Sequence, residues 1–193
     1  MSSYPLSLLG SYINLAPLCH QHQDDLCCIV ADKALWHNNQ TMIPTPELVP
    51  TYIKLSLEAA KRGEELPFAI ISRESQKVVG SIKLQQISLN SAEIGSTFIA
   101  LSHQKTAVNS EAKLILMQHA FETLKLEHLN FMIHKDNKIS QKAIERMGIT
   151  HKTNCFHQSN MPQWENYDYY DYCVTNKEWS HIKQNLQNSL FPS

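Results

Sequence analysis

Apolar positions along this chain change period several times, and each change marks an element. Over Ser11–Leu18, Ile13 and Leu15 alternate with Tyr12, Asn14 and Ala16 until Pro17, which predicts a first strand. His20–Val30 carries Leu26, Cys27 and Val30 and reads as a short helix, whereas Ala34–Thr45, with Trp36, two asparagines and Pro44, reads as a loop. Thr45-Pro46-Glu47 is a helix start: a capping hydroxyl, a proline at the first helical position and an acid in the first turn. Leu48, Tyr52, Leu55 and Ala59 continue it at helical spacing to Arg62-Gly63, a C-terminal cation and cap. Pro67–Ser72 and Lys77–Gln86 read as strands joined in a hairpin by Arg73–Gln76, and Ala92–Ala100 as the next strand. In Ser110–Leu124, Leu114, Met117, Phe121 and Leu124 recur at 3, 4 and 3, which predicts a strong helix. His128–Ile133, His151–Phe156 and Tyr167–Val174 are strand-like, Ser140–Met147 is helical, and a last helix from near Thr175 carries Trp179, Ile182 and Leu186. Strand hairpins followed by a strand–helix–strand–helix unit predict one mixed α/β (α+β) domain over residues 1–193, with a core at about 8–190.

Between the strand Ala92–Ala100 and the long helix lies a polar turn, Leu101–Asn109. A strand, a turn and a fresh helix N-terminus suit an anionic group such as a phosphate. The first-turn N–H groups have no partner inside the helix, and the aligned peptide dipoles favour negative charge there.

Composition narrows the classes. The chain has 193 residues, 42% hydrophobic and 18% charged, so it is expected to fold around a sizeable core. With 17 basic and 18 acidic residues the net charge is −1, which leaves no general basic field for nucleic acid; any anion site must be local. Five cysteines without a C-x-x-C pair point to reduced thiols and a cytoplasmic setting, with Cys27 and Cys28 read as small buried hydrophobes. No basic leader precedes an apolar segment at Met1–Leu9, and no apolar run reaches the roughly 18 residues that span a bilayer, so no membrane partner is expected.

Several local patterns, taken in order, resemble the GNAT acyl-CoA N-acetyltransferases, in particular their RimJ/RimL-type branch. They are Val79-Gly80-Ser81, Glu93-Ile94-Gly95, the loop Gln104–Asn109 with Glu111-Ala112-Lys113 after it, and Asn137-x-x-Ser140-x-x-Ala143-Ile144-Glu145-Arg146-x-Gly148. Asp168 and Glu178-Trp179 also fit that branch. The resemblance implies a mostly antiparallel central sheet whose fourth and fifth strands, here Ala92–Ala100 and His128–Ile133, splay apart. It implies acetyl-CoA as cosubstrate, an amine of a protein N-terminus or small molecule as acceptor, and direct attack in a ternary complex. Pantetheine would pair with Phe98, Ile99 and Ala100, and the pyrophosphate would sit on Gln104, Lys105, Thr106, Ala107, Val108, Asn109 and Ser110. Asn137 would contact the cofactor, and Ser140 would lie near the thioester sulfur.

Acyl transfer needs a neutral amine, a donor for the carbonyl oxygen and help for the departing thiolate. Glu93 is the candidate base; its bland reading is an ordinary strand carboxylate. Ser140 is the candidate partner of the thiolate; its bland reading is the N-cap of Ser140–Met147. No cysteine falls in the motif segments, so a covalent cysteine intermediate is not expected, Cys155 being the nearest to the cleft.

The chain departs from the branch in two places. The pyrophosphate loop there reads Gln-Gly-x-Gly-x-Asn, but Lys105 and Ala107 stand at the glycine positions. A side chain forced into a left-handed conformation costs about 1 kcal/mol. Either Lys105 swings out to pair with a phosphate, or the loop is remodelled and the protein is a non-catalytic ligand-binding module. The second departure, Lys152–Tyr167, removes the branch's usual acceptor-side residues. The aromatics Trp164, Tyr167, Tyr169, Tyr170 and Tyr172 read either as an amine pocket or, preferably, as a strand with rings on both faces. Lys135, Lys138, Lys142 and Arg146 read equally as a solvated face or as a seat for the 3′-phosphate end of CoA. Among ten histidines only His20-x-His22 is closely paired, so no metal is expected; His134 and His157 are further candidates for proton transfer. Monomer and homodimer both remain open.

Overall fold

A computed structural model describes residues 6–37, 43–157 and 167–192, with side chains described except at 36–37, 154–157 and 167. The strands are β1 (Leu8–Leu9), β2 (Ile13–Pro17), β3 (Leu66–Ser72), β4 (Val78–Gln85), β5 (Ser91–Ile99), β6 (His128–His134), β7 (Lys152–His157) and β8 (Tyr167–Thr175). They form one sheet in the order β1-β2-β3-β4-β5-β6-β8-β7. Every pairing is antiparallel except β5 with β6. The expected mixed α/β fold with a mostly antiparallel sheet is therefore present. The two-residue β1 raises the strand numbers by one, so the expected fourth and fifth strands are β5 and β6.

Those two strands separate. They pair only where Ser91, Ala92 and Glu93 meet His128, Leu129 and Asn130. Beyond Glu93, β5 stays with β4 while β6 stays with β8 over its whole length. A bulge supplies the bend. Lys83 faces Gly95 but Ser81 faces Phe98, so β5 carries an extra residue, and Ser96 sits there at φ +50°. Gly80 permits the close approach of β4 after the bulge, because a Cβ there would lie 2.3 Å from the Phe98 carbonyl oxygen.

Helices cover both faces. The helices α4 (Ala107–Gln118), α5 (Lys138–Glu145) and α6 (Trp179–Leu190) lie over a core that includes Ile82, Leu116, Met117, Leu129, Phe131 and Ile182. A single π-turn, His119–Thr123, extends α4. On the other face α1 (Gln23–Val30), α2 (Ala34–His37) and α3 (Val49–Lys61) bury Leu26, Val30, Val49 and Ile53 against Ala69 and Phe98. The segment expected to be a loop thus contains the short α2; its residues 38–42 lie outside the described residues. Cys28 is exposed and Cys27 half-buried, not both buried as expected. Leu26 and Val30 occupy the inward face of α1 at i and i+4, which turns Cys28 outward.

Glu111 ties α4 to the sheet edge. Its carboxylate accepts the backbone N–H of Ser11 at 2.7 Å and those of Tyr12 and Ile13 at 2.8 Å, while the side chain is buried. This one residue holds the β1–β2 turn against the first half of the helix.

Candidate active site

The helix after the polar turn begins earlier than its apolar period suggests. Leu101–His103 is a 3₁₀ turn, Thr106 is the N-cap, and Ala107 is the first helical residue. The Thr106 hydroxyl donates to the His103 carbonyl at 2.7 Å and accepts from the Val108 N–H at 3.3 Å. Val108, Asn109 and Ser110 are therefore first-turn residues, and the N–H groups of Ala107 and Asn109 open toward the helix end, while the Ser110 N–H makes the first helical bond, to the N-cap. Lys105 is exposed and stands at φ +58°, the left-handed conformation that glycine would adopt without strain. Ala107 has ordinary helical geometry, so of the two positions only Lys105 bears the conformational cost.

Gln104, by contrast, is used inside the fold: its side-chain amide donates to the Ile99 carbonyl at 3.1 Å. The Ala100 N–H donates to Val79 and Phe98 pairs with Ser81, so both backbones face β4. Strand alternation then turns the Ile99 N–H toward the gap between β5 and β6.

At the far wall, Asn137 is the N-cap of α5. Its side-chain oxygen accepts the Ser140 N–H at 3.0 Å, and the residue is 5% exposed. Ser140 is therefore the third residue of α5 and not its cap, and its hydroxyl has no partner among the described residues. Gln141, which sequence reasoning passed over, locks the end of β6 through the carbonyls of His134 (3.1 Å) and Lys135 (2.7 Å). Two glutamine amides, the exposed Gln104 and the buried Gln141, thus tie down the chain at the mouth of the gap, one on each wall.

Glu93 stands at the point where the strands part. It is 6% exposed, and its Oε1 accepts from the Gln85 amide at 2.9 Å, while Oε2 is buried without a hydrogen-bond partner among the described residues. Burial, reinforced by the charge of Asp171 and opposed by the Gln85 hydrogen bond, pushes its carboxyl up to about 7. Gly95 makes this possible: a Cβ there would lie 2.6 Å from Glu93 Oε1 and 2.7 Å from the Gln85 amide nitrogen. On the same face Tyr52 of α3 bonds to the Ser81 hydroxyl at 2.9 Å and stacks edge-on to Phe98. Lys83 lies 4.5 Å from the Tyr52 ring centroid and pairs with Glu65 at 2.9 Å. Gln85, Lys83 and Asp171 were not singled out by sequence reasoning; a lysine and an acid inside otherwise strand-forming runs were the available signal.

Other candidates have structural uses. Tyr172 is buried and donates to Glu145 at 2.8 Å; Lys152 pairs with Glu145 at 3.2 Å and lies 4.7 Å from the Tyr170 ring centroid. Tyr172 thus ties β8 to α5 and Tyr170 packs against Lys152, while Trp164 and the side chains of Tyr167, Cys155 and His157 lie outside the described residues. His134 accepts the Asp136 N–H at 3.1 Å. Lys135 pairs with Asp168 at 3.3 Å, and Lys138 donates to the Lys135 carbonyl. Lys113, buried one turn after Asn109 in α4, donates to the Asn109 side chain, and burial lowers its ammonium to about 8.

The sheet is thus forked between β5 and β6, with a helix N-terminus beside the fork and a buried carboxylate at its apex. A family model described as Acetyltransferase (GNAT) domain matches residues 13–150, and the chain belongs to that family. It is 29% identical over 95 residues to probable N-acetyltransferase YjcK of Bacillus subtilis (strain 168), a match covering 48% of this chain. The chain spans about half (52%) of the length of that curated relative. The crystal structure of a GCN5-related N-acetyltransferase from Brucella melitensis is similar over 100% of this chain and 88% of its own, with 26% identity and a TM-score of 0.85. The fold is also that of Mycobacterium smegmatis RimJ in complex with CoA-disulfide: TM-score 0.81, 17% identity, coverage 96% of this chain and 95% of that one.

The loop is testable by itself. If the Lys105 ammonium meets a phosphate, Lys105→Ala weakens CoA binding about tenfold, the loss of one charge-assisted hydrogen bond. Lys105→Gly relieves strain but loses the same charge, so it recovers only part of that affinity. Calorimetric titration with CoA checks this, and equal affinities for all three proteins would exclude a phosphate role for the side chain.

Proposed function

We propose that this chain is an N-acetyltransferase that moves the acetyl group of acetyl-CoA to a primary amine by direct attack in a ternary complex. The observation that carries the reading is the parting of β5 and β6 at a buried, near-neutral Glu93. Acetyl-CoA supplies an acetyl group activated as a thioester. The residues present suit it: the Ile99 N–H faces the gap, the first-turn N–H groups of Ala107 and Asn109 suit a diphosphate, and the side chain of Ser110 follows them in the same turn. Phe98, Ala100, Gln104, Thr106 and Val108 shape those two surfaces from behind, and the buried Asn137 sets the start of α5.

Glu93 removes a proton from the incoming amine. An ordinary carboxylate is too weak a base for an ammonium, and a shift from 4.5 to about 7 lowers that mismatch by about 3 kcal/mol. Ser140, with its uncommitted hydroxyl, donates to the departing sulfur. The described cysteines Cys19, Cys27, Cys28 and Cys173 are free thiols, in keeping with a cytoplasmic enzyme.

The left-handed Lys105 favours a second reading, a ligand-binding module that has given up catalysis. Thiol release from acetyl-CoA with a panel of primary amines separates the two. Turnover of at least one amine, abolished by omitting the amine, is the expected result. Stabilisation by acetyl-CoA without turnover of any amine would favour the module.

A further inference from the structure

A lysine stands on the core side of α4. Lys113 lies one turn after Asn109 and one turn before Leu116 and Met117, so the four share a helix stripe. Leu116 and Met117 are wholly buried in one core with Ile82, Ile94 and Phe131 of β4, β5 and β6, which makes this the sheet-facing stripe. Its first two positions are polar, although the rest is apolar. Lys113 is 8% exposed, and its ammonium folds back along the helix to the side-chain oxygen of Asn109 in the first turn. Asn109 is only half-buried. The charge therefore sits where the core opens onto the helix end, beside the free Asn109 N–H, and not in a sealed interior.

No acid answers this charge. Among the described residues no carboxylate forms an ion pair with Lys113. Glu111, the other charged residue of α4, is spent on the β1–β2 turn, and β1 and β2 themselves carry no ionisable side chain. Glu93, Lys83, His128 and His134 lie on the opposite face of the sheet, because their strand neighbours Ile94, Ile82, Leu129 and Ile133 are the ones that join the core under α4. Further along the helix, the π-turn holds His119 and Glu122; Glu122 pairs with Lys183 of α6, whose other ionisable residue is His181. Across the gap, Asp168 pairs with Lys135 and Glu145 with Lys152. The loop before the helix adds His103 and the exposed Lys105, and no acid. Burial, unopposed by any anion, brings the Lys113 ammonium down to about 8. A buried cation without a counter-ion is costly unless an anion meets it. A diphosphate at the first turn of α4 is such an anion.

Resting on the acetyltransferase reading, we propose that Lys113 binds the diphosphate of acetyl-CoA from the sheet side of α4, and that the complex takes up a proton at this nitrogen. In the free protein Asn109 holds the ammonium; in the complex a phosphate oxygen takes over as acceptor. Where the amine is neutral, water or buffer supplies the proton, and the nitrogen lone pair forms the new N–H bond. Lys113 thus adds an inner, titratable contact to the outer one of Lys105. An anion beside an ammonium favours its charged form, so affinity is full below about 8 and declines as pH rises beyond it.

Calorimetric titration with acetyl-CoA, which has no free thiol to ionise, reads both effects. At pH 8 the wild-type protein is expected to take up about half a proton per site, seen as a heat that differs between HEPES and Tris buffers; from pH 7 to pH 9 its affinity should fall about tenfold. Lys113→Met, close in length and apolar like its neighbours, should bind about tenfold more weakly at pH 7, with no uptake and equal affinity at both pH values. Lys113→Gln is measured beside it, and thermal denaturation reports the folding of each. Lys105→Ala and Glu93→Gln should both keep the uptake, which separates it from the outer lysine and from the carboxyl that titrates near 7. Binding without proton uptake by the wild type, or uptake that survives in a folded Lys113 variant, overturns the proposal. No heat and no stabilisation of the wild type by acetyl-CoA instead removes the parent reading, and the proposal with it.

Discussion

Glu93→Gln is expected to lower kcat by about 10²- to 10³-fold, the usual contribution of a positioned general base, while making the protein more stable in alkali. The two effects have one cause. Burial raises the Glu93 carboxyl from 4.5 to about 7, so the folded state resists its ionisation. A carboxyl whose folded value lies above its unfolded value favours folding at low pH. Below about 4.5 it is protonated in both states and the advantage is whole. As pH rises through 7 the folded protein must ionise a buried group, and the advantage is lost. Glutamine never ionises. The variant should match the wild type near pH 4.5 and exceed it by about 2–3 kcal/mol at pH 9, a gain of several degrees in Tm. Thermal denaturation across that range reads the difference, and kcat against pH should lose its ascending limb near 7. A variant equally stable at all pH values, with unchanged kcat, would mean that Glu93 is an exposed bystander.

Glu111→Ala should be the most destabilising single substitution considered, at about 3–5 kcal/mol. Three backbone donors end on this carboxylate, two of them on β1–β2 turn residues that have few other acceptors in reach. Truncation leaves the buried Ile13 donor shielded from water at about 1–3 kcal/mol and frees the part-buried donors of Ser11 and Tyr12 at a smaller cost, while removing the tie that holds the turn on the helix. Urea unfolding gives the value from the shift in midpoint, and a loss below about 1 kcal/mol would contradict the assignment. Glu111→Gln should not rescue the protein, because its amide nitrogen would point a donor at donors. The functional consequence follows from position. Glu111 lies one turn after Ala107, so a loosened edge also loosens the helix end proposed to hold the diphosphate.

Much of the sheet was legible because its strands are apolar or alternating runs with sharp ends. Val78–Gln85 and Ser91–Ile99 lie within a residue or two of their expected limits. The two-residue β1 was not legible, since two residues carry no period. The start of α4 was misread for a related reason: its apolar stripe begins at Val108 and Leu114, but the cap is Thr106, a polar residue inside what looked like a phosphate turn. The alternative reading of Ser140, as a cap, fails because the side-chain oxygen of Asn137 accepts the Ser140 N–H and takes that place. Glu93 was legible as a charge at the head of a strand. Asp171 was not, because its neighbours Tyr169, Tyr170 and Tyr172 drew the eye to rings. Its meaning depends on pairing across β6, which no single strand reveals.

The central claim is that the fork between β5 and β6 binds acetyl-CoA as the donor for an amine. Calorimetric titration of acetyl-CoA into the wild-type protein, repeated with Lys105→Ala, tests it most directly. One saturable site per chain with micromolar affinity, weakened about tenfold in the variant, is the predicted result. No heat and no stabilisation at millimolar acetyl-CoA, from protein that unfolds cooperatively, would contradict it.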